Sequence, residues 1–197
     1  MKWVVIAILA IIVPYTYLTF RSRKPGPAFR PYEDTKNRAI TGRLLSAGYQ
    51  RVTLEVRSPS DAPSAAAPTP GAPATTSTLP GGLEENLKDA LIDAPLLPVS
   101  INRVLAAASA RAGQPYVIQF TCSLPNQKAQ LSDAQLYRKD DAFIIVPAFE
   151  QLAGGLQSRT AESTVVLTVP ASLLLPGRYT ISLAGSRTSR KWTLQVH

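Results

Sequence analysis

Few side chains in this sequence could carry chemistry. There is one histidine, His197, which is the last residue, and there is one cysteine, Cys122. A Ser-His-Asp triad, a Cys-His pair and a histidine-rich zinc site all need a histidine within the fold, so the sequence argues against each of them. Cys122 lies in an apolar stretch, which favours a buried structural thiol over a reactive one.

Two arrangements of carboxylates remain. Asp140 and Asp141 could belong to a calcium loop, but calcium needs several more oxygen ligands, so a tight turn is the better interpretation. Glu150 and Glu162 could form a pair for glycoside hydrolysis, although no spacing motif supports it. No glycine-rich phosphate-binding motif occurs. We therefore predict a protein that is not an enzyme, with no catalytic residues, no metal and no cofactor.

The positive charge is concentrated near the start of the chain. The net charge is +8, and the stretch from Arg21 to Arg57 holds nine basic and three acidic side chains. It follows an uncharged run, Trp3 to Phe20, that is eighteen residues long. A nucleic-acid-binding protein would carry its charge on the folded domain. Basic residues directly after an apolar run instead favour a membrane surface.

The apolar run predicts a transmembrane anchor over residues 1–23. As a helix it would span about 27 Å, and aromatic residues at both ends fit an interfacial belt. A cleaved signal peptide is the main alternative, but no site with small residues follows the run. The predicted anchor residues are Trp3, Ile6, Leu9, Ile12, Pro14, Tyr15, Tyr17 and Phe20.

The basic flank predicts contacts with the membrane surface or with an acidic partner, with an ordinary solvated flank as the alternative. The residues proposed for this contact are Arg21, Arg23, Lys24, Arg30, Lys36, Arg38 and Arg43. The distribution of positive charge would place the rest of the chain in the cytoplasm. However, a β-rich module that follows an N-terminal anchor is commonly displayed outside the cytoplasm. We predict a single-pass membrane protein with an extracytoplasmic domain.

Two segments follow the anchor. Residues 24–57 form a basic juxtamembrane segment, with a short helix over 36–47 that Gly48 ends and a strand over 50–57. A single strand is not stable, so this one must pair with the following domain or with a partner. Residues 58–82 are rich in Pro, Ala, Ser and Thr, which predicts a disordered linker.

Residues 83–197 predict an all-β domain. A short amphipathic helix over 83–93 precedes segments that alternate between apolar and polar residues, separated by turn signals. Seven short strands within about 100 residues are typical of an antiparallel sandwich. The predicted strands are Val99–Ala107, Pro115–Ser123, Gln130–Arg138, Ala142–Val146, Glu162–Val169, Gly177–Ala184 and Ser189–Val196.

Residues 97–197 also resemble immunoglobulin-like modules of bacterial single-pass membrane proteins. The resemblance rests on two stretches that lead into strands, Ala112-Gly113-Gln114-Pro115-Tyr116 and Leu175-Pro176-Gly177-Arg178-Tyr179. It implies an N-terminal transmembrane helix followed by a seven-stranded antiparallel Ig-like β-sandwich. The sequence departs from antibody domains because it has no second cysteine and carries Trp192 in its last strand.

Together these features predict a non-catalytic, membrane-anchored interaction protein that presents its sandwich to a protein or envelope partner. The expected partners are the membrane and another membrane or envelope protein, with no nucleic acid and no small-molecule substrate. An alternative is a small accessory or assembly subunit of a larger membrane complex, which the lone strand at 50–57 motivates. The oligomeric state stays open.

Overall fold

The computed structural model describes residues 2, 12, 15, 31–58, 71–152 and 160–197. The chain divides into two compact units, residues 1–37 and 38–197. In the first unit, the described residues are helical. All strands belong to the second unit.

The predicted membrane anchor is corrected by the structure. In the described part of the chain, no helix is long and apolar enough to cross a membrane. Single-pass localisation was therefore a wrong prediction. Ile12 and Tyr15 are 52% and 72% exposed. The other predicted anchor residues lie outside the described part, namely Trp3, Ile6, Leu9, Pro14, Tyr17 and Phe20.

Besides the helical residues 2, 12 and 15, the described ranges contain two helices, a 3-10 turn and ten strands. The helices are α1 (Pro31–Ser46) and α2 (Glu85–Ala90), and the 3-10 turn is Ala171–Leu173. The strands are β1 (Gln50–Arg57), β2 (Ser77–Pro80), β3 (Ser100–Leu105), β4 (Ser109–Ala110), β5 (Tyr116–Ser123), β6 (Ala129–Lys139), β7 (Ala142–Gln151), β8 (Glu162–Val169), β9 (Gly177–Leu183) and β10 (Thr188–Val196).

Eight of these strands close into a barrel. Their order around it is β10-β3-β5-β8-β1-β6-β7-β9, and β9 pairs back onto β10 from Arg190–Leu183 to Val196–Gly177. The sheet is mixed, because β7 and β9 run parallel, as do β3 and β10. The short strands β2 and β4 both pair with β10.

The closed barrel overturns the prediction of a seven-stranded antiparallel Ig-like sandwich, and the resemblance that implied it. Each predicted strand exists within a few residues of its expected bounds, but the strands do not form two packed sheets. Strand β1 lies between β6 and β8 and pairs antiparallel with both. Alternation of apolar residues shows which side of a strand is buried, but it does not show which strand is its neighbour.

Side chains fill the interior of the barrel. In an eight-stranded barrel the interior is just wide enough for this. Trp192, 3% exposed, donates through Nε1 to the Tyr116 hydroxyl over 3.1 Å, and that hydroxyl donates to the Ala107 carbonyl over 2.7 Å. The rings of Phe143 and Tyr179 stack with centroids 4.8 Å apart. Trp192, in the last strand, therefore belongs to the barrel core.

The barrel closes through a narrow seam between β3 and β10. One register pair, Thr188 with Ser100, joins these two strands directly, and β4 pairs with the end of β10. The segment 71–80, which lies in the predicted linker, is ordered here. It pairs with β10 through β2, and Ala74 N donates to Ala106 O over 2.8 Å.

A second apolar cluster lies outside the barrel and includes Leu44, Tyr49 and Leu87. Helix α1 ends there, at the glycine that the sequence predicted. Gly48 adopts φ +81°, Gly48 N donates to Leu45 O, and Tyr49 N donates to Leu44 O. This is a Schellman cap, in which the contact between Tyr49 and Leu44 directs the chain into β1.

Candidate functional site

One cavity lies in the barrel wall, where β1 ends. Its volume is about 700 Å³, and we call it the wall slot. Its apolar floor is made by core residues, and its rim is polar. The lining residues are Val56, Ser58, Leu124, Ala129, Gln130, Leu131, Ser132, Glu150, Leu152, Glu162, Ser163, Thr164 and Val165.

The slot opens because β1 changes its partner. Strand β1 pairs with β6 up to Leu54–Ala134, and then with β8 from Glu55–Thr168. A bulge in β6 between Leu131 and Asp133 falls just beyond that point. Within the described residues, 129–133 of β6 therefore pair with β7 alone, and 162–165 of β8 pair with β5 alone.

The ladder between β5 and β8 shows which peptide groups face the slot. Leu124 N donates to Ala161 O over 2.6 Å. Because hydrogen-bonded and non-hydrogen-bonded pairs alternate along an antiparallel ladder, the peptide groups of odd-numbered residues in β8 bond to β5. The peptide groups of Glu162 and Thr164 consequently face the slot. The Thr160 hydroxyl already donates to Glu162 O over 2.9 Å. Thr164 has no backbone partner on this side in the described part of the chain.

The rim of the slot is acidic. Glu150 and Glu162 both line it, and none of its described lining residues is basic. Asn102 Nδ2 donates to Glu162 Oε1 over 2.9 Å, which holds that carboxylate in place. Both glutamates are exposed. A general acid for glycoside hydrolysis needs an apolar surrounding, so this pair suits recognition of a cation better than catalysis.

A second concave surface, the outer groove, lies between residues 79–84 and the outer faces of β7, β9 and β10. Its acidic end is a cavity of about 320 Å³, and its apolar end is one of about 430 Å³. The two cavities share Glu84, Ala142, Ile144 and Thr180. The acidic end is completed by Tyr49, Lys139, Asp140 and Asp141.

Several predicted residues lie away from both cavities. Arg38 and Arg43 are exposed on α1, Lys36 is half-buried there, and none of them lines the slot or the groove. Arg21, Arg23, Lys24 and Arg30 lie outside the described residues. Asp140 and Asp141 form the two-residue turn between β6 and β7. In the described part, no group of three or more His, Cys, Asp or Glu could hold a metal ion.

Cys122 is fully buried in the barrel, as the sequence predicted for a structural thiol. Burial, and to a lesser degree the Glu162 carboxylate, raises the pKa of this thiol to about 12. Burial likewise raises the pKa of the Tyr116 hydroxyl to about 12, although its hydrogen bond with Trp192 opposes the shift.

These two groups predict a loss of stability in alkali. Because the fold keeps the Cys122 thiol neutral, this group does not change the free energy of unfolding below about pH 8.5, where the unfolded thiol begins to ionise. Above that pH this free energy falls by about 1.4 kcal/mol per pH unit, and Tyr116 adds to the loss above about pH 10. Urea denaturation between pH 7 and 11 measures this. In a Cys122→Ala variant the decline begins near pH 10, and an unchanged onset would contradict the assignment.

The chain matches no family model, no curated protein and no solved structure. Function must therefore be argued from the geometry of the slot and the groove.

Proposed function

We propose that this protein is a non-catalytic interaction module that binds an extended, basic segment of a partner protein in the wall slot. The observation that supports this most is the pair of half-strands at 129–133 and 162–165. They face one cavity, and each is paired on one side within the described residues. Such a gap accepts a strand from another chain, whose main-chain groups complete the sheet.

The slot offers different surroundings to alternate side chains of such a segment. Leu131 and Val165 provide an apolar floor, while Glu150 and Glu162 provide negative charge at the rim. Side chains of an extended peptide point alternately to the two sides. A segment in which apolar and basic residues alternate therefore fits the slot best.

Other functions have less support from the structure. Core side chains of the described strands fill the barrel interior, as expected of an eight-stranded barrel, so this packing does not favour a small-ligand function. The accessory-subunit alternative was motivated by an unpartnered strand at 50–57. That strand pairs with β6 and β8, so this observation no longer favours it.

The test uses two labelled octapeptides, one alternating Val and Lys and one alternating Val and Glu, titrated into the full chain by fluorescence anisotropy. We expect saturable binding of the Val-Lys peptide and at least about tenfold weaker binding of the Val-Glu peptide, because the rim is acidic. Thr164→Pro removes the peptide N–H that faces the slot and should weaken binding at least about tenfold.

Thr164→Val is the matched control, because it keeps that N–H and removes only the hydroxyl, which contacts Thr121 Oγ1 over 2.9 Å. This variant should bind as the wild type does. If both peptides bind equally, or if Thr164→Pro folds and binds unchanged, the slot is not the binding site. Glu150→Gln supplies a second test, because it removes one of the two carboxylates at the rim of the slot.

A further inference from the structure

The acidic end of the outer groove contains a buried hydroxyl without a partner. Tyr49 is 1% exposed, and its hydroxyl oxygen has no hydrogen bond within the described structure. Tyr49 lines the 320 Å³ cavity. Leaving a buried polar group unbonded is costly, so native structures rarely do it without a ligand, an ion or a water at the site.

The charges around this hydroxyl are mainly negative. Glu84, Asp140 and Asp141 line the same cavity, and Lys139 is the one basic residue among its described lining. Lys139 Nζ lies 5.0 Å from the centroid of the Tyr49 ring. That ammonium therefore lies over the aromatic face rather than at the hydroxyl. Burial, reinforced by the charge of Glu84, raises the pKa of the Tyr49 hydroxyl.

The other end of the groove is less polar. Its described lining includes Leu79, Pro80, Leu83 and Ala184, together with one basic side chain, Lys191. It joins the acidic end along Ala142 and Ile144. Leu79 is 37% exposed, although it is a large apolar side chain. A ligand that followed the whole groove would thus meet carboxylates at one end and apolar side chains at the other.

We propose that the outer groove binds a primary alkylammonium group, with the nitrogen between Tyr49, Glu84 and Asp141 and the alkyl chain along the apolar end. An ammonium has three N–H donors and no acceptor. It would give the Tyr49 hydroxyl a donor and neutralise part of the carboxylate charge. This site is separate from the wall slot and does not depend on the function proposed for it.

A primary alkylammonium can come from a free amine or from a lysine side chain of another protein. The test uses n-hexylammonium and n-propylammonium as free amines and a capped Leu-Lys-Leu tripeptide as the lysine source. Each is titrated into the full chain and followed by amide chemical shifts. We expect saturable shifts at Ala142 and Thr180, and about tenfold tighter binding of the longer amine because its chain buries more apolar surface.

Three variants distinguish the proposal from a nonspecific effect. Glu84→Gln should weaken binding about tenfold, because it removes the negative charge that strengthens the hydrogen bond to an ammonium. Tyr49→Phe should weaken binding about three- to tenfold, because it removes the hydroxyl that accepts a hydrogen bond. Glu150→Gln, which lies in the wall slot, should leave binding unchanged. Tyr49→Phe should unfold at the same urea concentration as the wild type or at a higher one, because it removes an unbonded hydroxyl.

The proposal is overturned if neither amine nor the tripeptide gives saturable shifts at the groove. It is also overturned if Tyr49→Phe unfolds at a lower urea concentration, because the hydroxyl would then already have a partner. Tighter binding of the tripeptide than of hexylammonium would identify the source as a protein lysine, and the reverse would identify a free amine. If the octapeptides did not bind the wall slot, that outcome would not affect the proposal for the outer groove.

Discussion

Replacing Leu54 with Ala should lower the free energy of unfolding of the whole barrel by about 3 kcal/mol. Leu54 is 2% exposed and belongs to the barrel core, although it lies in β1, ahead of residues 58–82. Truncating it removes buried apolar surface and leaves a cavity between β6 and β8. Urea denaturation followed by Trp192 fluorescence measures the effect, because that side chain is buried in the same core.

Leu45→Ala is the matched control for this prediction. Leu45 is 62% exposed on α1, so its truncation should change stability by no more than about 0.5 kcal/mol. If Leu54→Ala were as mild as Leu45→Ala, β1 would not be part of the barrel. The wall slot, which depends on β1 leaving β6, would then be lost with it.

Replacing Arg190 with Ala should destabilise the barrel by about 2 to 3 kcal/mol, because this side chain holds the closing seam. Its Nε donates to Ile101 O over 3.1 Å, and its Nη2 donates to Asn102 O over 3.0 Å. Its Nη1 donates to Thr78 Oγ1. The guanidinium thus connects β10 with β3 and β2, where the backbone supplies the single pair Thr188–Ser100 between β10 and β3.

Two further variants separate the planar arrangement of donors in the Arg190 guanidinium from its positive charge. Arg190→Lys keeps the positive charge but lacks the planar set of N–H donors. It should therefore retain less than about half of the stability that Arg190→Ala loses. Arg187→Ala removes an exposed arginine from the same hairpin and should have little effect. Equal losses for Arg190→Ala and Arg187→Ala would show that the side chain does not hold the seam.

Local features of the fold could be predicted from the sequence. Period-two alternation located all seven predicted strands, and the strand from Glu162 to Val169 has its expected bounds. Gly48 ends α1 as expected, because a left-handed residue closes the helix. These features depend on residues close together in the chain, which is the range over which sequence patterns carry information.

The closure of the barrel could not be predicted in this way. It depends on β1 lying between β6 and β8, so that Leu54 lies opposite Ala134, 80 positions away in the sequence. A Pro- and Ala-rich composition made 71–80 look like linker, but backbone hydrogen bonds to Ala106 and to β10 order this segment. Main-chain pairing is nearly independent of side-chain type, so composition did not reveal it.

The candidate sites were only partly visible in the sequence. The sequence raised Glu150 and Glu162 only as a pair for glycoside hydrolysis that no spacing motif supported, and the structure brings both to the wall slot. The slot itself arises from the change of partner along β1 and the bulge near Ser132, which no local pattern indicates. The unpartnered hydroxyl of Tyr49 depends on what surrounds it in space, so only the structure shows it.

The most direct test of the closed sheet is a disulfide between β1 and β8. Glu55 and Thr168 lie opposite each other in the register, at a spacing of about 5.5 Å that suits a disulfide. With Cys122 replaced by Ala, a Glu55→Cys/Thr168→Cys protein should oxidise completely to an intramolecular disulfide, seen by mass spectrometry as the loss of two hydrogens. A Glu55→Cys/Thr193→Cys control should stay reduced. Free thiols in the first protein would contradict the barrel and the slot built on it.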